Sequence, residues 1–556
     1  MGMTYDEAVA AVTGPGQMLE MAPVEVDGIT YRGFANAPAS LRDLLSLARA
    51  HGDKDFIVYE DERLTFTDVM ARVDALGATL VERYGVRKGD RVAIGMRNYP
   101  EWVVAFAAIV SVGAISVSLN AWWSEDELDY ALGDSEPVLL IADRERIERA
   151  RASCAKRGIR VLAVRADDVT DEGVDHWDDV VQVGAALPQV DIGPDDDATI
   201  LYTSGTTGFP KGAVSTNRAV VTSIMGFASR APIEALRTGE TAEAANPPSV
   251  ILVVPLFHVT GSVPVMLGAF IGGAKLTIMY KWDPDRALEL IERERVTTFV
   301  GVPTQSWDML QSPRFQEFDT STLQGIGGGG APPPPELIRQ IDSSFKGGRP
   351  AFGYGMTETN ALGPGISGDD AIAKPTSAGR PPVTMEVEIR DPSGAPVPVG
   401  ERGEIWFKAL NNIRGYWRKP EETAETIVDG WLRTGDLGRL DEDGFVYVED
   451  RIKDMVLRGG ENVYSAEVEA ALYEHPAVYE AAVFGLPHER LGEEVAAAVY
   501  PRDGVSVTPE ELQTHVGKRL AAFKVPSTIV IVSEPLPRNA AGKFLKRQLR
   551  ESYANA

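Results

Sequence analysis

The feature that most constrains this chain is a run of small and polar residues, 203–212, placed directly after an apolar segment, 198–202. The apolar segment predicts a buried strand, and a helix is predicted to begin near Asn217. Three glycines allow the backbone to turn tightly and to bring its N–H groups close to an anion. Four hydroxyl groups and Lys211 add donors and a positive charge. The run therefore predicts a phosphate-binding loop at the end of a strand.

This loop differs from the usual P-loop, in which a second glycine stands five residues after the first and is followed by Lys and then Ser or Thr. Pro210 stands five residues after Gly205, and Lys211 is followed by Gly212. A plain surface turn is the alternative interpretation of such a cluster. The motifs elsewhere in the chain decide between the two.

Length and charge restrict the class of protein. At 556 residues the chain is too long for one ordinary core, so several domains are expected. A formal net charge of -26 argues against a broad nucleic-acid surface and against strong binding to anionic membranes. A nucleotide site must therefore be a local positive region. The single cysteine, Cys154, excludes an intrachain disulfide and a thiolate metal cluster, and it fits a reducing, cytoplasmic location.

Two segments bear on membrane targeting. Residues 1–19 carry acidic side chains and lack a basic start, so they do not predict a secretory signal. Residues 102–123 carry no charge and are nearly long enough to cross a bilayer. Because Gly113 divides them into a helix-like half, 101–112, and a β-branched half, 114–119, we expect a buried helix and strand and no integral membrane segment.

Helical and short apolar strand patterns alternate along most of the chain, which is typical of parallel sheets covered by helices. Residues up to about Leu41 look irregular, and a helix over 65–84 is predicted to begin through Thr67 or Asp68. A hairpin is predicted over 391–405, with its turn at 391–394. After a charged link, 450–454, the pattern changes to that of a small separate domain, so we place the boundary at Lys453. The strands expected before that boundary include 56–59, 91–95, 137–143, 251–255, 275–279, 297–302, 351–354 and 444–450.

Six further motifs follow the loop in order. They are Pro255-Leu256-Phe257-His258-Val259-Thr260-Gly261, Gly328-Gly329-Gly330-Ala331-Pro332, Tyr354-Gly355-Met356-Thr357-Glu358, Thr434-Gly435-Asp436, Asp450-Arg451-Ile452-Lys453 and Pro537-Arg538-Asn539-Ala540-Ala541-Gly542-Lys543. Together with the loop they resemble the motifs of the adenylate-forming superfamily, which holds acyl-CoA synthetases, firefly-type luciferases and the adenylation domains of peptide synthetases. The resemblance covers nearly the whole chain.

The resemblance implies an α/β fold in two domains. Residues 1–452 would form a large N-terminal domain of parallel-sheet α/β subdomains plus a small β-barrel-like part, and this domain would carry the acyl and ATP sites. Residues 453–556 would form a small mobile α+β domain with a catalytic lysine and a thioester hairpin at 458–462. Lys453 would be the hinge that absorbs the change in backbone dihedrals between half-reactions.

The resemblance also implies an ATP-dependent acyl-CoA synthetase, an AMP-forming acid–thiol ligase. A free carboxylate is a poor electrophile because oxide is a poor leaving group. Attack of the carboxylate on the α-phosphate of ATP would give a mixed anhydride with AMP and release pyrophosphate, and CoA would then displace AMP. Since negative charge crowds this transition state, fixed donors and positive charges should supply most of the catalysis. No Ser-His-Asp or Cys-His set is evident, and none is needed when a thiol is the nucleophile.

The nucleotide site follows residue by residue from the resemblance. Asp436 would accept both ribose hydroxyls, Arg451 would reach the same ribose, and Tyr354 would pack on the adenine unless it is ordinary core. Thr357 would contact the α-phosphate, while Glu358 and Thr203 would bind Mg²⁺, which prefers oxygen ligands. The implied cofactor-binding residues are Thr203, Ser204, Gly205, Thr206, Thr207, Gly208, Lys211, Gly329, Gly330, Ala331, Gly353, Tyr354, Gly355, Met356, Thr357, Asp436, Arg451, Lys453, Gly459, Gly460 and Lys524.

Lys543 is the implied catalytic cation, bridging the substrate carboxylate and the α-phosphate, and Thr357, Glu358 and His258 complete the catalytic set. The basic residues near Lys543 offer a rival interpretation, in which Lys543 belongs to a solvated basic tail. Lys524 could meet a CoA phosphate, although a surface lysine is the simpler interpretation. In the second half-reaction Lys543 would leave the site and the hairpin at 458–462 would replace it.

The implied acyl site is small and mostly apolar, with no charged partner. This composition favours an apolar alkyl, medium- or long-chain fatty, or aryl-alkyl acid over an amino acid, whose ammonium group would need a carboxylate. His258 would be a gate or wall of the acyl tunnel, or equally a core histidine. The residues are His258, Val259, Thr260, Ser262, Val302 and Gly327.

Three other functions remain as alternatives. A carrier-protein acyl-AMP ligase and a luciferase-like oxygenase share the adenylation step, and a nucleotide-binding scaffold without chemistry is the non-enzyme alternative. Lys211, Glu358, Asp436 and Lys543 argue against the scaffold. No carrier domain follows within the 556 residues, so a stand-alone enzyme is expected. Its expected partners are a carboxylic acid, ATP and CoA, with no nucleic acid, and homodimerisation is left undecided.

Overall fold

The structure is a computed structural model that describes residues 2–203, 210–239, 246–459, 461–502, 504–538 and 544–554. Its α-helices, in chain order, are α1 Tyr5–Thr13, α2 Leu41–Ser46, α3 Phe66–Glu82, α4 Pro100–Ser111, α5 Glu125–Ser135, α6 Arg144–Arg157, α7 Trp177–Val180, α8 Asn217–Thr238, α9 Gly268–Gly272, α10 Pro284–Arg293, α11 Pro303–Gln311, α12 Pro335–Ser344, α13 Gly368–Ala373, α14 Pro420–Thr426, α15 Ser465–Tyr473, α16 Pro509–Gly517 and α17 Lys546–Tyr553.

The strands are β1 Met21–Val26, β2 Ile29–Phe34, β3 Asp55–Tyr59, β4 Glu62–Thr65, β5 Arg91–Gly95, β6 Ile115–Ser118, β7 Leu139–Asp143, β8 Arg160–Val164, β9 Val174–His176, β10 Asp197–Thr203, β11 Lys211–Thr216, β12 Ser249–Leu252, β13 Lys275–Ile278, β14 Thr298–Gly301, β15 Gly325–Gly328, β16 Arg349–Gly353, β17 Gly365–Ser367, β18 Met385–Arg390, β19 Gly403–Ala409, β20 Gly415–Tyr416, β21 Ile427–Val428, β22 Trp431–Leu440, β23 Val446–Arg451, β24 Val456–Arg458, β25 Glu461–Val463, β26 Val478–His488, β27 Gly492–Pro501 and β28 Thr528–Ile531.

Two eight-stranded sheets form the body of the chain, in the orders β20-β11-β10-β6-β5-β7-β8-β9 and β17-β16-β15-β14-β12-β13-β3-β4. The inner strands pair in parallel, and antiparallel strands stand at one end of the first sheet and at both ends of the second. Nearly every residue of α4 is buried, and its side chains share one apolar core with strands of both sheets. The predicted parallel sheets covered by helices are therefore confirmed.

The uncharged segment 102–123 is a buried helix, α4, followed by a buried strand, β6. Gly113 separates them at φ +75°, a backbone conformation that favours glycine. The expected helix and strand are thus confirmed. No helix within the described residues is long and apolar enough to cross a membrane.

The N-terminal residues are more regular than the sequence analysis expected. Thr4 caps α1, and Glu7 completes a capping box by accepting from the Thr4 N–H. The strands β1 and β2 then form an antiparallel hairpin around Asp27 and Gly28. The expectation of an irregular start was wrong, because a Thr-x-x-Glu capping box and an Asp-Gly turn favour a capped helix and a hairpin in this segment.

Two further boundaries differ from expectation. Helix α3 is capped by Thr65, which accepts from the backbone N–H of Asp68, so neither Thr67 nor Asp68 is the cap. The expected hairpin over 391–405 exists, but its strands β18 and β19 pair at Arg390 and Glu404, outside the turn. Residues 391–394 do form a turn, with the Gly394 N–H donating to the Asp391 carbonyl at 2.9 Å.

Two smaller sheets follow. The strands β18-β19-β22-β21, with β23 on β22, form an antiparallel sheet at the place of the expected barrel-like part, and their described pairing is open rather than closed. The strands β25-β24-β27-β26, with β28 on β27, form the last sheet. Its apolar core, with α15 and α16, is distinct from the others. This α+β arrangement agrees with the expected fold class, and the boundary at Lys453 stays a prediction.

Candidate active site

One large cavity, of about 1730 Å³, is lined by described residues from six of the seven sequence motifs. Single small-molecule sites commonly measure roughly 300–1000 Å³, so this cavity can hold more than one substrate. It lies beyond the carboxyl ends of β10, β15 and β16, which is where ligands bind in open α/β sheets. Lys211, Glu358 and Asp436, which are far apart in sequence, all line it.

The phosphate-loop prediction falls partly outside the described residues. Thr203 ends β10 and Lys211 begins β11, and the two residues are opposite each other in the antiparallel pair. The Thr203 hydroxyl donates to the Lys211 carbonyl at 3.4 Å, and both residues line the cavity. Ser204, Gly205, Thr206, Thr207 and Gly208 lie outside the described residues. The ends of the loop are therefore held at the cavity by a strand pair.

A tyrosine that the sequence analysis missed links the lysine to the glutamate. The Tyr416 hydroxyl donates to Glu358 Oε1 at 2.8 Å. The Nζ atom of Lys211 lies 5.0 Å from the centroid of the Tyr416 ring, within the range of a cation–π contact. Burial raises the pKa of Tyr416, and the nearby Glu358 adds to this, so the phenol stays a donor. Tyr416 reaches this position because β20 pairs with β11, opposite Ala213.

The residues predicted for adenosine form a second linked group. The Tyr354 hydroxyl donates to Asp436 Oδ2, and Arg451 Nε lies 3.2 Å from Asp436 Oδ1. Asp436 and Arg451 are opposite each other in the β22–β23 pair. Asp436 is only 4% exposed. Burial disfavours the charged form of Arg451, but Asp436 together with Tyr354, Asp454 and Glu358 outweighs this and raises the pKa of Arg451.

Tyr354 lines the cavity and also packs against the apolar core of the β18–β23 sheet. Its ring centroid lies 5.8 Å from that of Phe407, and its N–H donates to the Pro364 carbonyl at 2.9 Å. Burial raises the pKa of Tyr354 well above its ordinary value, and Asp436 adds to this. The Tyr354 ring therefore connects the β18–β23 sheet to the cavity.

The glycine-rich turn after β15 depends on close backbone approach. A Cβ atom at Gly328, where φ is +143°, would lie 2.0 Å from the Gly301 carbonyl oxygen, so only glycine fits. Gly329 and Gly330 follow it along the cavity wall, whereas Ala331 is not among the described residues that line the cavity. The predicted residues that line the cavity after β16 are Gly353, Tyr354, Gly355, Met356, Thr357 and Glu358.

The predicted acyl residues divide into two groups. His258, Val259 and Thr260 line the cavity, just before a π-helical turn, Gly261–Leu267. Such turns are frequent at functional sites.

Ser262, Val302 and Gly327, also predicted for the acyl site, are not among the described residues that line the cavity. The Ser262 hydroxyl donates to the His258 carbonyl at 3.2 Å, and the Gln305 carboxamide accepts from the Val302 N–H at 2.9 Å. At Gly327 a Cβ atom would lie 2.0 Å from the Ala351 carbonyl oxygen. These local contacts involve neighbouring residues of the chain and not the space of the cavity.

A second residue missed by the sequence analysis is Arg230 on α8, which lines the same cavity. The absence of a charged partner, expected from the apolar acyl residues, therefore does not hold for the cavity as a whole. Neither Arg230 nor Tyr416 belongs to a recognised motif, and each meets its site through tertiary contacts that sequence spacing does not encode.

The predicted residues of the C-terminal part are distributed differently. Lys453 lines the cavity together with Ile452 and Asp454. Gly459 turns the β24–β25 hairpin at φ +61°, and Gly460 lies outside the described residues. Lys524 is paired with the Glu467 carboxylate at 2.6 Å. Lys543 lies outside the described residues.

The donor set suits Mg²⁺. No group of three or more His, Cys, Asp or Glu side chains among the described residues could hold a metal ion on its own. Mg²⁺ commonly takes only one or two carboxylates and completes its ligands with substrate phosphates and water. Glu358, fixed by Tyr416 in the cavity wall, and Thr203 can provide hard oxygen atoms of that kind.

With two α/β sheets and one cavity beyond the carboxyl ends of their strands that is lined by Lys211, Glu358 and Asp436, the chain has the fold of an enzyme that activates a carboxylic acid with ATP. Residues 46–417 match the family described as AMP-binding enzyme, and residues 467–543 match the AMP-binding enzyme C-terminal domain. The chain belongs to this family, the adenylate-forming superfamily, and is of the acyl-CoA synthetase type. It is an AMP-forming acid–CoA ligase that uses ATP, Mg²⁺ and CoA.

Similar proteins cover almost the whole chain. A feruloyl-CoA synthase of Amycolatopsis sp is 36% identical over 88% of this chain and 94% of its own length. The long-chain-fatty-acid–CoA ligase FadD13 of Mycobacterium tuberculosis is 35% identical over 89% of this chain and 94% of its own. The crystal structure of ATP-bound MatB from Rhodopseudomonas palustris superimposes with a TM-score of 0.80, at 31% identity, covering 92% of this chain and 99% of that one.

Proposed function

We propose that this acyl-CoA synthetase acts on an acid with an apolar alkyl or aryl-alkyl body, in two half-reactions at the cavity described above. The observation that carries the assignment of roles is the convergence of Lys211, Glu358 and Asp436 on one cavity. The names of the two relatives span an aryl acid and long-chain fatty acids, so both classes belong in a test. Phe257, Val259 and Val300 supply apolar wall on the acyl side.

In the proposed first half-reaction the chain orients the reactants and stabilises the charge that develops between them. Asp436 accepts the ribose hydroxyls, and Tyr354 and Arg451 hold its carboxylate in place. Lys211 and the loop before it bind the β- and γ-phosphates, while Thr357 contacts the α-phosphate. Glu358 and Thr203 would hold Mg²⁺, which would neutralise part of the phosphate charge. Lys543 neutralises the attacking carboxylate and the α-phosphate.

In the proposed second half-reaction the domain from 453 to 556 turns about Lys453. The turn removes Lys543 and brings the β24–β25 hairpin to the thiol. The strand β23 ends at Arg451, and the Ile452 N–H donates to the Gly435 carbonyl at 3.0 Å, so ordered pairing stops just before the hinge. The buried single cysteine supports a cytoplasmic location.

The test is product analysis over a panel of short, medium, long and aromatic acids. We expect acid-dependent formation of AMP and pyrophosphate, and a thioester when CoA is added. ADP and phosphate as products would overturn the proposal. Faster transfer to a phosphopantetheinyl carrier than to CoA, or oxygen-dependent light from a luciferin, would favour the corresponding alternative.

A matched pair of variants connects the activity to the cavity. Glu358→Gln should lower pyrophosphate release by roughly 100-fold, as for loss of one group that stabilises a charged transition state. Glu421→Gln, at an exposed position on α14, should leave the rate unchanged. Equal rates for both variants would remove Glu358 from the mechanism.

A further inference from the structure

Arg230 enters the cavity at a place that the proposed mechanism does not use. Its guanidinium lies against the β16–β17 pair, where Gly353 is opposite Gly365. A Cβ atom at Gly365 would lie 2.5 Å from Arg230 Nη1, and one at Gly353 would lie 3.8 Å from it. The lack of a side chain at Gly365 therefore leaves the space that the guanidinium occupies, and Gly353 leaves the approach to it clear.

No carboxylate in the described part of the chain balances the charge of Arg230. The guanidinium donates to the main-chain carbonyl of Gly363. By contrast, Arg237 and Arg380 nearby both pair with Asp370, at 3.0 and 3.3 Å. Burying an unpaired charge is costly. Arg230 is partly buried, and a partly buried cation that faces a substrate cavity is therefore a candidate to bind an anionic group of that substrate.

The protonation state of Arg230 agrees with a role in binding an anion. Burial lowers the pKa of Arg230 to about 10, so the guanidinium remains charged at neutral pH. Because the unfolded-state pKa is higher, folding disfavours the charged form. An anion that binds beside it would recover part of that cost.

The position of Arg230 relative to the loop after β16 indicates the chemical class of the ligand. Gly353 ends β16, and the loop with Tyr354 and Glu358 follows directly. The surrounding wall includes the rings of Phe227 and Phe352, so the space between the loop and the guanidinium suits an apolar body. A guanidinium binds a carboxylate through two parallel hydrogen bonds.

Building on the proposed function, we propose that the substrate is a dicarboxylic acid with an apolar body, and that Arg230 binds the carboxylate that is not adenylated. Arg230 is then a specificity-determining residue: it contacts the substrate but not the reacting atoms. One carboxylate is converted to the adenylate while the other remains ionised.

The experiment compares three acids at each chain length: the dicarboxylic acid, the monocarboxylic acid and the neutral mono-amide of the diacid. Acid-dependent exchange of pyrophosphate into ATP gives kcat/KM for each. At the preferred length we expect the diacid to exceed the other two by at least about 10-fold. Arg230→Met should lower the value for the diacid by at least about 30-fold, the lower end for truncating one partner of a buried charge pair. It should change the value for the monoacid by less than about threefold.

Two controls keep the result interpretable. Arg230→Lys keeps the charge without the planar fork, so it should retain part of the diacid preference, and it replaces the Met variant if that variant does not fold. Arg218→Met, on the same helix but paired with Asp195 at 2.7 Å, should leave the diacid preference unchanged.

The outcomes separate this inference from the proposed function. Exchange with monoacids but no diacid preference at any length, or equal losses for both acids in Arg230→Met, would overturn the inference and leave the synthetase assignment intact. If no acid supports exchange, the proposed function fails, and calorimetry then tests the inference alone. Diacid binding to the wild type but not to Arg230→Met supports it, and equal binding or none refutes it.

Discussion

Replacing Asp436 by Asn tests the nucleotide site most sharply. The Asp436 carboxylate is 4% exposed, accepts from Tyr354 and pairs with Arg451. An amide of the same shape keeps one acceptor oxygen but removes the charge and one charge-assisted hydrogen bond. Since such a bond contributes about 1.5–3 kcal/mol, and little water reaches the site, kcat/KM for ATP should fall about 10- to 150-fold.

The assay is a double-mutant cycle between the protein and the nucleotide. Pyrophosphate release is measured for the wild type and Asp436→Asn with ATP and with 2′-deoxy-ATP. If Asp436 binds the ribose hydroxyls, the variant should lose less than the wild type when the 2′-hydroxyl is removed. Asp443→Asn is the control, because Asp443 lies in the exposed turn before β23, where it pairs with Lys374 at 2.8 Å.

Two results would refute this reasoning. The first is an equal loss with both nucleotides, which would show that Asp436 acts only on protein structure. The second is a changed KM for the acid with an unchanged KM for ATP, which would place the carboxylate on the acyl side.

Four other predictions follow from the same site and core. Tyr416→Phe removes the donor to Glu358 and should raise the Mg²⁺ concentration for half-maximal rate about 10-fold, the value of one charge-assisted hydrogen bond; an unchanged Mg²⁺ titration would contradict the link. Lys543→Ala should lower adenylation by at least ~100-fold yet spare thioester formation from supplied acyl-adenylate, so normal pyrophosphate release would remove that role. Lys453→Pro should block thioesterification and leave adenylation intact, and equal loss of both half-reactions would contradict the assignment of Lys453 as the hinge. Burial raises the pKa of the Cys154 thiol to about 11, so less thiolate is present below that pH. Alkylation at pH 8 should therefore be at least ~100-fold slower in the folded protein than in denaturant, and should quicken as pH rises; equal rates would show an exposed thiol.

The sequence predicted those features that depend on local pattern. Strand β5 has the bounds expected from its apolar run, and Gly113 separates α4 from β6 as its position suggested. The N-terminal helix and hairpin also carry local signals, at Thr4 and Gly28. These parts of the fold follow from short-range physics: caps, turns and hydrophobic period.

The remaining parts of the site depend on tertiary contacts. Tyr416 meets Glu358 only because β20 pairs with β11, about two hundred residues earlier in the chain. Arg230 faces the cavity only because α8 packs near the β16–β17 glycines. No spacing rule encodes either contact, and the resemblance to a family supplied only residues within its motifs.

The measurement that tests the central claim most directly is isotope transfer from the acid. An acid whose two carboxylate oxygens carry a heavy isotope is incubated with ATP, Mg²⁺, CoA and the enzyme. The masses of the products are then measured by mass spectrometry. If the carboxylate attacks the α-phosphate, one labelled oxygen must appear in each AMP and one must remain in the thioester. Unlabelled AMP, or label in inorganic phosphate or pyrophosphate, would contradict activation of the acid as its adenylate.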